Sequence, residues 1–349
     1  MSDFLYIGRD DVRALRVPPA EVVDVLLAAF RAKGEGHAVM PPKMTVHGHG
    51  DDFSQAMAAW ISDEAAPASL GRAADEGPSA APPSSFNIAG LGAKWVCLFP
   101  DNAARGLPTL HGLVVLSDPH TGVPLAVMDA TELTAVRTGA SAGLAARLLA
   151  RPGAAVVGIL GCGVQGAASL SSLAAELPGL RQVRLFDVRP QVAEALAGRL
   201  SSEMPGVEFV GAREPQQVAR GADVVVTAIT QVAGAPPPLD AGLLEPGTLA
   251  VALDYDAAWT GAAMAEFDRF VVDDAPQVLA TKAAGVRLGR IPAIYADLGQ
   301  LAAGRLPGRA TPHERWLCLN LGVGIEDVTA GMLIYRRAVA AGLGTCLSL

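Results

Sequence analysis

The chain has 349 residues, 51% of them hydrophobic and 18% charged, a balance that supports a large core, and the length is a prior for two domains. A net charge of −8, no Lys/Arg run and only 5% aromatic residues exclude nucleic-acid binding through a basic stripe. No apolar run reaches the roughly 18–20 residues of a membrane span. The first residues, "MSDFLYIGRDDV", hold no basic segment followed by an apolar stretch, so a cytoplasmic protein without a membrane partner is expected. Cys97, Cys162, Cys318 and Cys346 form no CxxC pair. They read as small buried hydrophobes, not as zinc ligands or a disulfide framework.

In chain order, "PPAEVVDVLLAAFRAKGEG" carries helical periodicity from about residue 19, with proline at its start and glycine at its end. "VMPPKMTVHGHGDDFSQAMAAWI" reads as strand, turn, strand. Residues 62–86, rich in Ala, Pro, Ser and Gly, read as a surface loop inserted between two strands. "IAGLGAKWVCLFP" and "HGLVVLSDPHTGVPLAVMDAT" give further strands, with "SDPHTG" as a turn. A helix over about 131–150 ends at Pro152 and Gly153.

From residue 154 strands and helices alternate. "AAVVGILG", "QVRLFDV", "VEFVG", "ADVVVTAIT", "TLAVALDYD" and "RFVVDD" are strands, and helices occupy 164–177, "PQVAEALAGRL" and "EPQQVARG". This rhythm predicts a Rossmann-like doubly wound parallel sheet. The tail "IEDVTAGMLIYRRAVAAGLG" predicts a glycine-capped helix that packs back on the first part of the chain. The expected architecture is therefore α/β. A discontinuous α+β substrate and dimerisation domain spans residues 1–130 and 322–349, and a dinucleotide-binding domain spans 131–321.

Gly161, Gly163 and Gly166 form G-x-G-x-x-G directly after a strand and at the start of a helix. The first glycine allows the tight turn, the second a close backbone approach to pyrophosphate, and the third helix–strand packing. Free N–H groups and the dipole at the helix start favour the phosphates. Asp187 ends the next strand in "VRLFDVRP". A carboxylate there accepts from both ribose hydroxyls and repels a 2′-phosphate, which favours NAD over NADP. Arg189, two residues on, keeps NADP as the alternative.

Three cations stand in unusual surroundings. Lys94 lies among apolar residues in "GLGAKWVCLF". It is either an edge-strand lysine or a fixed cation for a substrate carboxylate, since an unpaired buried ammonium is expensive. Lys43 in "MPPKMTV" is a solvated loop lysine or a second cation for the same carboxylate. Arg137 in "TAVRTGASAG" offers a bidentate fork amid small residues that allow close approach; the plainer reading pairs it with a surface acid such as Glu132. "HGHGD" places His47, His49 and Asp51 at alternate positions, but the glycines favour a hairpin tip and no metal site is expected.

The stretch from "GAKWVCLFPDNAARGLPTLHG" through "TAVRTGASAG" to "GCGVQG" resembles the ornithine cyclodeaminase/mu-crystallin family, with likeness from "PPKMTV" to "GLGTCLSL". The motifs K-W, G-L-P-T, T-A-V-R-T-G-A and G-x-G-x-Q carry it together. The resemblance implies a homodimer that uses a nicotinamide cofactor to move a hydride at a carbon bearing nitrogen. An amino-acid or imino-acid substrate follows from it. Activities in the family include cyclodeaminases, alanine dehydrogenases, cyclic-imine reductases and opine-type enzymes that make 2,3-diaminopropionate, with ligand-binding mu-crystallins beside them.

Residue by residue, the resemblance implies that Lys94 and Arg137 hold the substrate carboxylate, Lys94 counting also among the catalytic residues, with Lys43 where cyclodeaminases often carry arginine. Arg137 also borders the cofactor. Thr109 is a cofactor contact, Val164 and Gln165 fall on the pyrophosphate turn, and Asp187 meets the ribose. Thr227 ends a strand beside the cofactor, and Asn320 and Leu321 occupy the segment over the nicotinamide, Leu321 on the substrate side. Asp256 stands at the position of the general acid/base, with Asp254 as its rival. Thr260 replaces the family's lysine four residues later. Gln55 replaces an acid of ornithine-specific enzymes, which points away from ornithine as substrate.

Overall fold

In the computed structural model the chain runs β1 (Asp3–Ile7), α1 (Arg9–Ala14), α2 (Pro19–Glu35), β2 (Ala38–Val39), β3 (Met44–His47), β4 (Phe53–Ile61), β5 (Gly90–Leu98), β6 (Leu110–Ser117), β7 (Pro124–Asp129) and α3 (Ala130–Leu149). It continues through β8 (Val156–Leu160), α4 (Val164–Glu176), β9 (Gln182–Phe186), α5 (Pro190–Glu203), β10 (Glu208–Gly211), α6 (Gln216–Ala219), β11 (Val224–Thr227), β12 (Leu249–Ala252), α7 (Gly261–Met264) and β13 (Arg269–Val272). Last come α8 (Ala275–Ala283), β14 (Ala296–Asp297), α9 (Leu298–Ala302), β15 (Trp316–Leu319), α10 (Gly324–Ala341) and β16 (Thr345–Ser348). The structure describes residues 3–62, 88–230, 234–285 and 288–349. The inserted loop expected over 62–86 lies, apart from Ser62, outside the described residues.

The chain divides into two units, Met1–Arg137 with Gly322–Leu349, and Thr138–Leu321. In the first, the sheet runs β16-β1-β7-β6-β5-β4-β2, with β3 paired to β4. Its ladders are antiparallel except β1 against β7. The period-2 alternation expected of a half-buried sheet is clear on β6, where Val114 and Leu116 are buried while Leu113 and Val115 are exposed. The buried face packs against α10, which also meets α2. Helix α2 opens on Pro18–Pro19 and closes at Gly36, whose φ of 82° is the left-handed cap that glycine accepts without strain.

Among the described residues of the second unit all eight strands are parallel, in the order β10-β9-β8-β11-β12-β15-β13-β14. Strand β8, "VVGIL", is buried at every position, as a strand covered on both faces should be. The doubly wound sheet expected from the sequence is present, with two additions: β14 at the edge and β15 inserted between β12 and β13. The order reverses between β8 and β11, the switch point where open α/β sheets bind their ligands.

Candidate active site

The three glycines of the turn answer to different demands. Gly161 has φ +95°, and a Cβ there would stand 2.4 Å from the Ala228 carbonyl oxygen. A Cβ on Gly166 would stand 2.0 Å from the Gly161 oxygen. Both are required by the fold. Gly163 is not: its Cβ would meet nothing within 4 Å. The backbone there is open to the cavity that Gly163 lines. Gly163 is also the N-cap of α4, and no side chain caps that helix, so its first-turn amides remain for an anion.

A cavity of about 710 Å³ opens at this switch point, with Gly161, Gly163, Asp187, Arg189, Ile229 and Arg290 in its lining. Asp187 accepts from the Cys162 amide and the Arg189 amide, one on each oxygen and both at 3.0 Å. Each oxygen keeps capacity for a ribose hydroxyl. The exposed Arg189 guanidinium lies 3.9 Å from the Asp187 carboxylate. Gln165 Oε1 and Asn320 Nδ2 are buried without a hydrogen-bond partner; Asn320 uses only its Oδ1, on the Cys318 thiol at 3.3 Å. An orphan acceptor, an orphan donor and a glycine kept for nothing in the protein itself all fit a nicotinamide dinucleotide. The Cys162 thiol, pushed up to about 12 by burial and then by the Asp187 charge, stays protonated; Cys162 and Cys318 are buried as expected, whereas Cys97 is half-buried and Cys346 exposed.

At the ends of β11 and β12, Thr227 Oγ1 donates to Asp254 Oδ1 at 2.9 Å, and the Ile229 amide donates to Oδ2 at 3.1 Å. Burial raises Asp254 to about 7, against these hydrogen bonds. Tyr255 follows with φ +62°. This left-handed conformation, uncommon for a bulky residue, costs about 1–3 kcal/mol and is typical of constrained functional turns. Asp256 is buried beyond it. Arg290 Nη2 donates to its carbonyl at 2.6 Å and lies 3.5 Å from its Oδ2. Thr260 caps α7, accepting from the Ala263 amide at 3.1 Å, and donates to Asp240 at 2.7 Å.

The first unit carries a charge cluster. Lys94 lies on β5, flanked by β4 and β6, and is 1% exposed; the edge-strand reading is excluded. Its Nζ donates to Asp327 Oδ1 at 2.7 Å and to Thr134 Oγ1 at 3.4 Å. Arg137 on α3 donates from Nη1 to Glu326 Oε2 at 2.9 Å, and its Nε is 3.1 Å from Asp327 Oδ1. Glu132 is no partner of Arg137 here; it pairs with Arg13 at 2.5 Å. A Cβ on Gly322, at φ +78°, would stand 2.5 Å from Arg137 Nη1, so the guanidinium packs where only glycine leaves room. Lys94 is lowered to about 8, by burial first and then by Arg137, with Asp327 and Glu326 opposing. Both acids sit in the first turn of α10, where the dipole favours negative charge. Sequence reading missed them; two adjacent acids in the apolar "GVGIEDVTAG" were the available signal.

The remaining predicted residues are placed as follows. Lys43 is half-buried just before β3, Thr109 is exposed just before β6, and Leu321 is half-buried. The Thr109 carbonyl accepts from the Phe99 amide at 2.8 Å. Val164 is exposed at the first position of α4. Gln55 on β4 donates to Thr45 at 3.2 Å. His47 ends β3, with His49 and Asp51 in the turn after it. Among the described residues no group of three His, Cys, Asp or Glu could hold a metal ion.

The parallel sheet, its glycine turn and the cavity at the switch point define a Rossmann-type dinucleotide-binding protein. The chain belongs to the ornithine cyclodeaminase/mu-crystallin family, whose sequence pattern matches residues 70–342. It is 30% identical to the alanine dehydrogenase of Archaeoglobus fulgidus, over 98% of this chain and 97% of that protein. The Δ1-pyrroline-2-carboxylate reductase of Thermococcus litoralis, solved in complex with NADH and L-proline, matches with a TM-score of 0.80 at 26% identity. That match covers 98% of this chain and 99% of that one. An archaeal alanine dehydrogenase dimer with bound NAD matches with a TM-score of 0.81 at 26% identity, over 100% of both chains. These relatives are oxidoreductases of amino and imino acids.

Proposed function

We propose that this protein is an NAD-dependent oxidoreductase that moves a hydride between the α-carbon of an amino or imino acid and the nicotinamide. The observation that carries the reading is the cavity at the switch point, with Gly163 open toward it and Asp187 at its wall. The relatives' substrates supply the chemical class. When bound, the dinucleotide accepts or returns the hydride. Gly161, Gly163, Val164 and Gln165 hold the pyrophosphate, and Asp187 takes the ribose hydroxyls. Thr109, Thr227 and Asn320 border the cofactor. Lys94 and Arg137, joined by Lys43, hold the α-carboxylate, and such orientation is where much of the rate gain arises. Leu321 packs against the substrate.

Asp256 takes a proton from the substrate amine or returns one to the imine. Both oxygens of Asp254 already accept hydrogen bonds from Thr227 and Ile229, which favours Asp256 over its rival. The Arg290 guanidinium beside Asp256 also lines the cavity.

The test is to incubate the purified protein with NAD and a panel of amino acids, and with NADH and cyclic imino acids, while following the reduced-cofactor absorbance. Steady net turnover of NAD or NADH supports the reading. Proline formed from ornithine without net NADH replaces it with a closed cyclodeaminase cycle. Diaminopropionate formation points to the opine-type branch, and NADH binding without any turnover to a mu-crystallin-like ligand binder.

The assembly is proposed to be a homodimer through the outer face of the first unit's sheet. Trp95 and Leu113 are paired in register on β5 and β6, with Val115 beside them. They are 44%, 46% and 44% exposed on the face opposite Lys94. A contiguous apolar patch of this kind marks an interaction surface, and the archaeal relative is a dimer. Trp95→Asp should yield a monomer in sedimentation analysis. Among the described residues no helix is long and apolar enough to cross a membrane, and chemistry on a diffusible cofactor and a small acid suits the cytoplasm.

A further inference from the structure

The charge cluster of the first unit holds one carboxylate that the carboxylate-binding role does not explain. Asp327 Oδ1 is shared: Lys94 Nζ lies 2.7 Å from it and Arg137 Nε 3.1 Å. Its Oδ2 is buried without a hydrogen-bond partner, so the single oxygen joins two cations that would otherwise repel each other. Glu326 has a different job. Its Oε2 accepts from Arg137 and, at 3.3 Å, from the Val323 amide, which ties the guanidinium to the start of α10.

We propose that Asp327 is the positioning residue of this site: its shared oxygen holds the Lys94 ammonium and the Arg137 guanidinium together and keeps Lys94 charged, so that the pair receives a carboxylate. The inference rests on the reading of Lys94 and Arg137 as substrate-carboxylate ligands. The groups facing Lys94 make its consequence specific. Arg137 and the neutral Thr134 approach from α3, Glu326 and Asp327 from α10, while its cross-strand neighbours are the apolar Met57 and Val114. Burial and Arg137 already lower Lys94 to about 8, and Asp327 is the largest force opposing them. Removing that charge lets Lys94 lose its proton near neutrality, and a neutral amine grips a carboxylate poorly.

The experiment measures KM and kcat for the amino or imino acid from about pH 6 to about pH 9, with NADH affinity read by fluorescence and folding by thermal melts. In the wild-type protein KM should stay flat in acid and rise above about pH 8. In Asp327→Asn it should already be raised about tenfold at pH near 7.5 and recover toward pH 6. NADH affinity should be unchanged and kcat affected less than KM. Asp327→Glu, which keeps the charge but shifts it, should restore the wild-type pH profile with a modestly raised KM. A wild-type KM for Asp327→Asn at every pH, while Lys94→Met raises KM, overturns the inference alone. Unchanged KM in both Lys94→Met and Arg137→Met overturns the carboxylate reading and the inference with it. If Asp327→Asn does not fold, Asp327→Glu decides: a raised KM with wild-type NADH affinity supports the role, and a wild-type KM contradicts it.

Discussion

The glycine turn of the second unit and the charge cluster of the first are built on opposite plans. The turn is an open place: Gly163 presents bare backbone to a cavity. The cluster is closed on itself: Lys94 and Arg137 are buried, and Glu326 and Asp327 balance them charge for charge. Backbone N–H groups can wait unpaired at an open cavity because water serves them until a ligand arrives. Side-chain cations inside a core cannot wait, since an uncompensated buried charge is strongly destabilising. The proposed cofactor site is therefore preformed by shape, and the proposed substrate site by counter-charges.

Variants that separate these plans can be ranked by effect. Asp256→Asn should lower kcat by about 10²–10⁴-fold with NADH affinity retained, as measured by steady-state kinetics and fluorescence titration; unchanged turnover would remove Asp256 from the chemistry. Gly163→Val should weaken NADH binding by at least about tenfold, near 1.4 kcal/mol, and leave the melting temperature in place, because a Cβ added there meets nothing within 4 Å. Gly166→Val should instead lower the melting temperature, because its first added carbon already meets the Gly161 carbonyl. If the two glycines behave alike, the distinction between fold and ligand demands is lost. Asp187→Ala should weaken NADH about tenfold without a gain for NADPH, in line with loss of charge-assisted hydrogen bonds. Better NADPH than NADH binding by the unmodified protein would make Arg189 the determinant.

The smallest effect concerns Asp254, whose native value of about 7 stands above its ordinary 3.8. A raised carboxyl favours the folded state when protonated. Its contribution is full below about pH 4 and is lost as pH rises toward about 7. Asp254→Asn, whose Oδ1 can accept from the Ile229 amide while its Nδ2 donates to the Thr227 hydroxyl, should leave stability unchanged in acid and raise the melting temperature above about pH 7. A variant that is destabilised at all pH values would mean that the carboxylate itself is needed.

What could be read from the sequence follows the same division. The glycine turn, Asp187 and the strand–helix rhythm are local signals, and the parallel sheet agrees with them. Strand order is not local: β15, four residues long and not preceded by a long amphipathic helix, gives no hint that it enters between β12 and β13. The ionic partners of Lys94 and Arg137 are equally remote, since Asp327 lies 233 residues after Lys94. The nearby Glu132, which sequence proximity suggested for Arg137, turns instead to Arg13. Arg290 carried no pattern either, because its contact with Asp256 is made from an irregular segment. The small residues around Arg137 did carry meaning, though partly a packing one: a Cβ on Gly139 would stand 2.5 Å from the Ala168 backbone on α4.

The central claim is hydride transfer at a carbon bearing nitrogen. It is tested most directly with NADH deuterated at C4, supplied with cyclic 2-imino acids and with 2-oxo acids plus ammonia, and the products read by mass spectrometry. The account predicts deuterium on the α-carbon of an amino-acid product, and its loss in Asp256→Asn. Tight binding of the labelled cofactor with no deuterium in any product would contradict it.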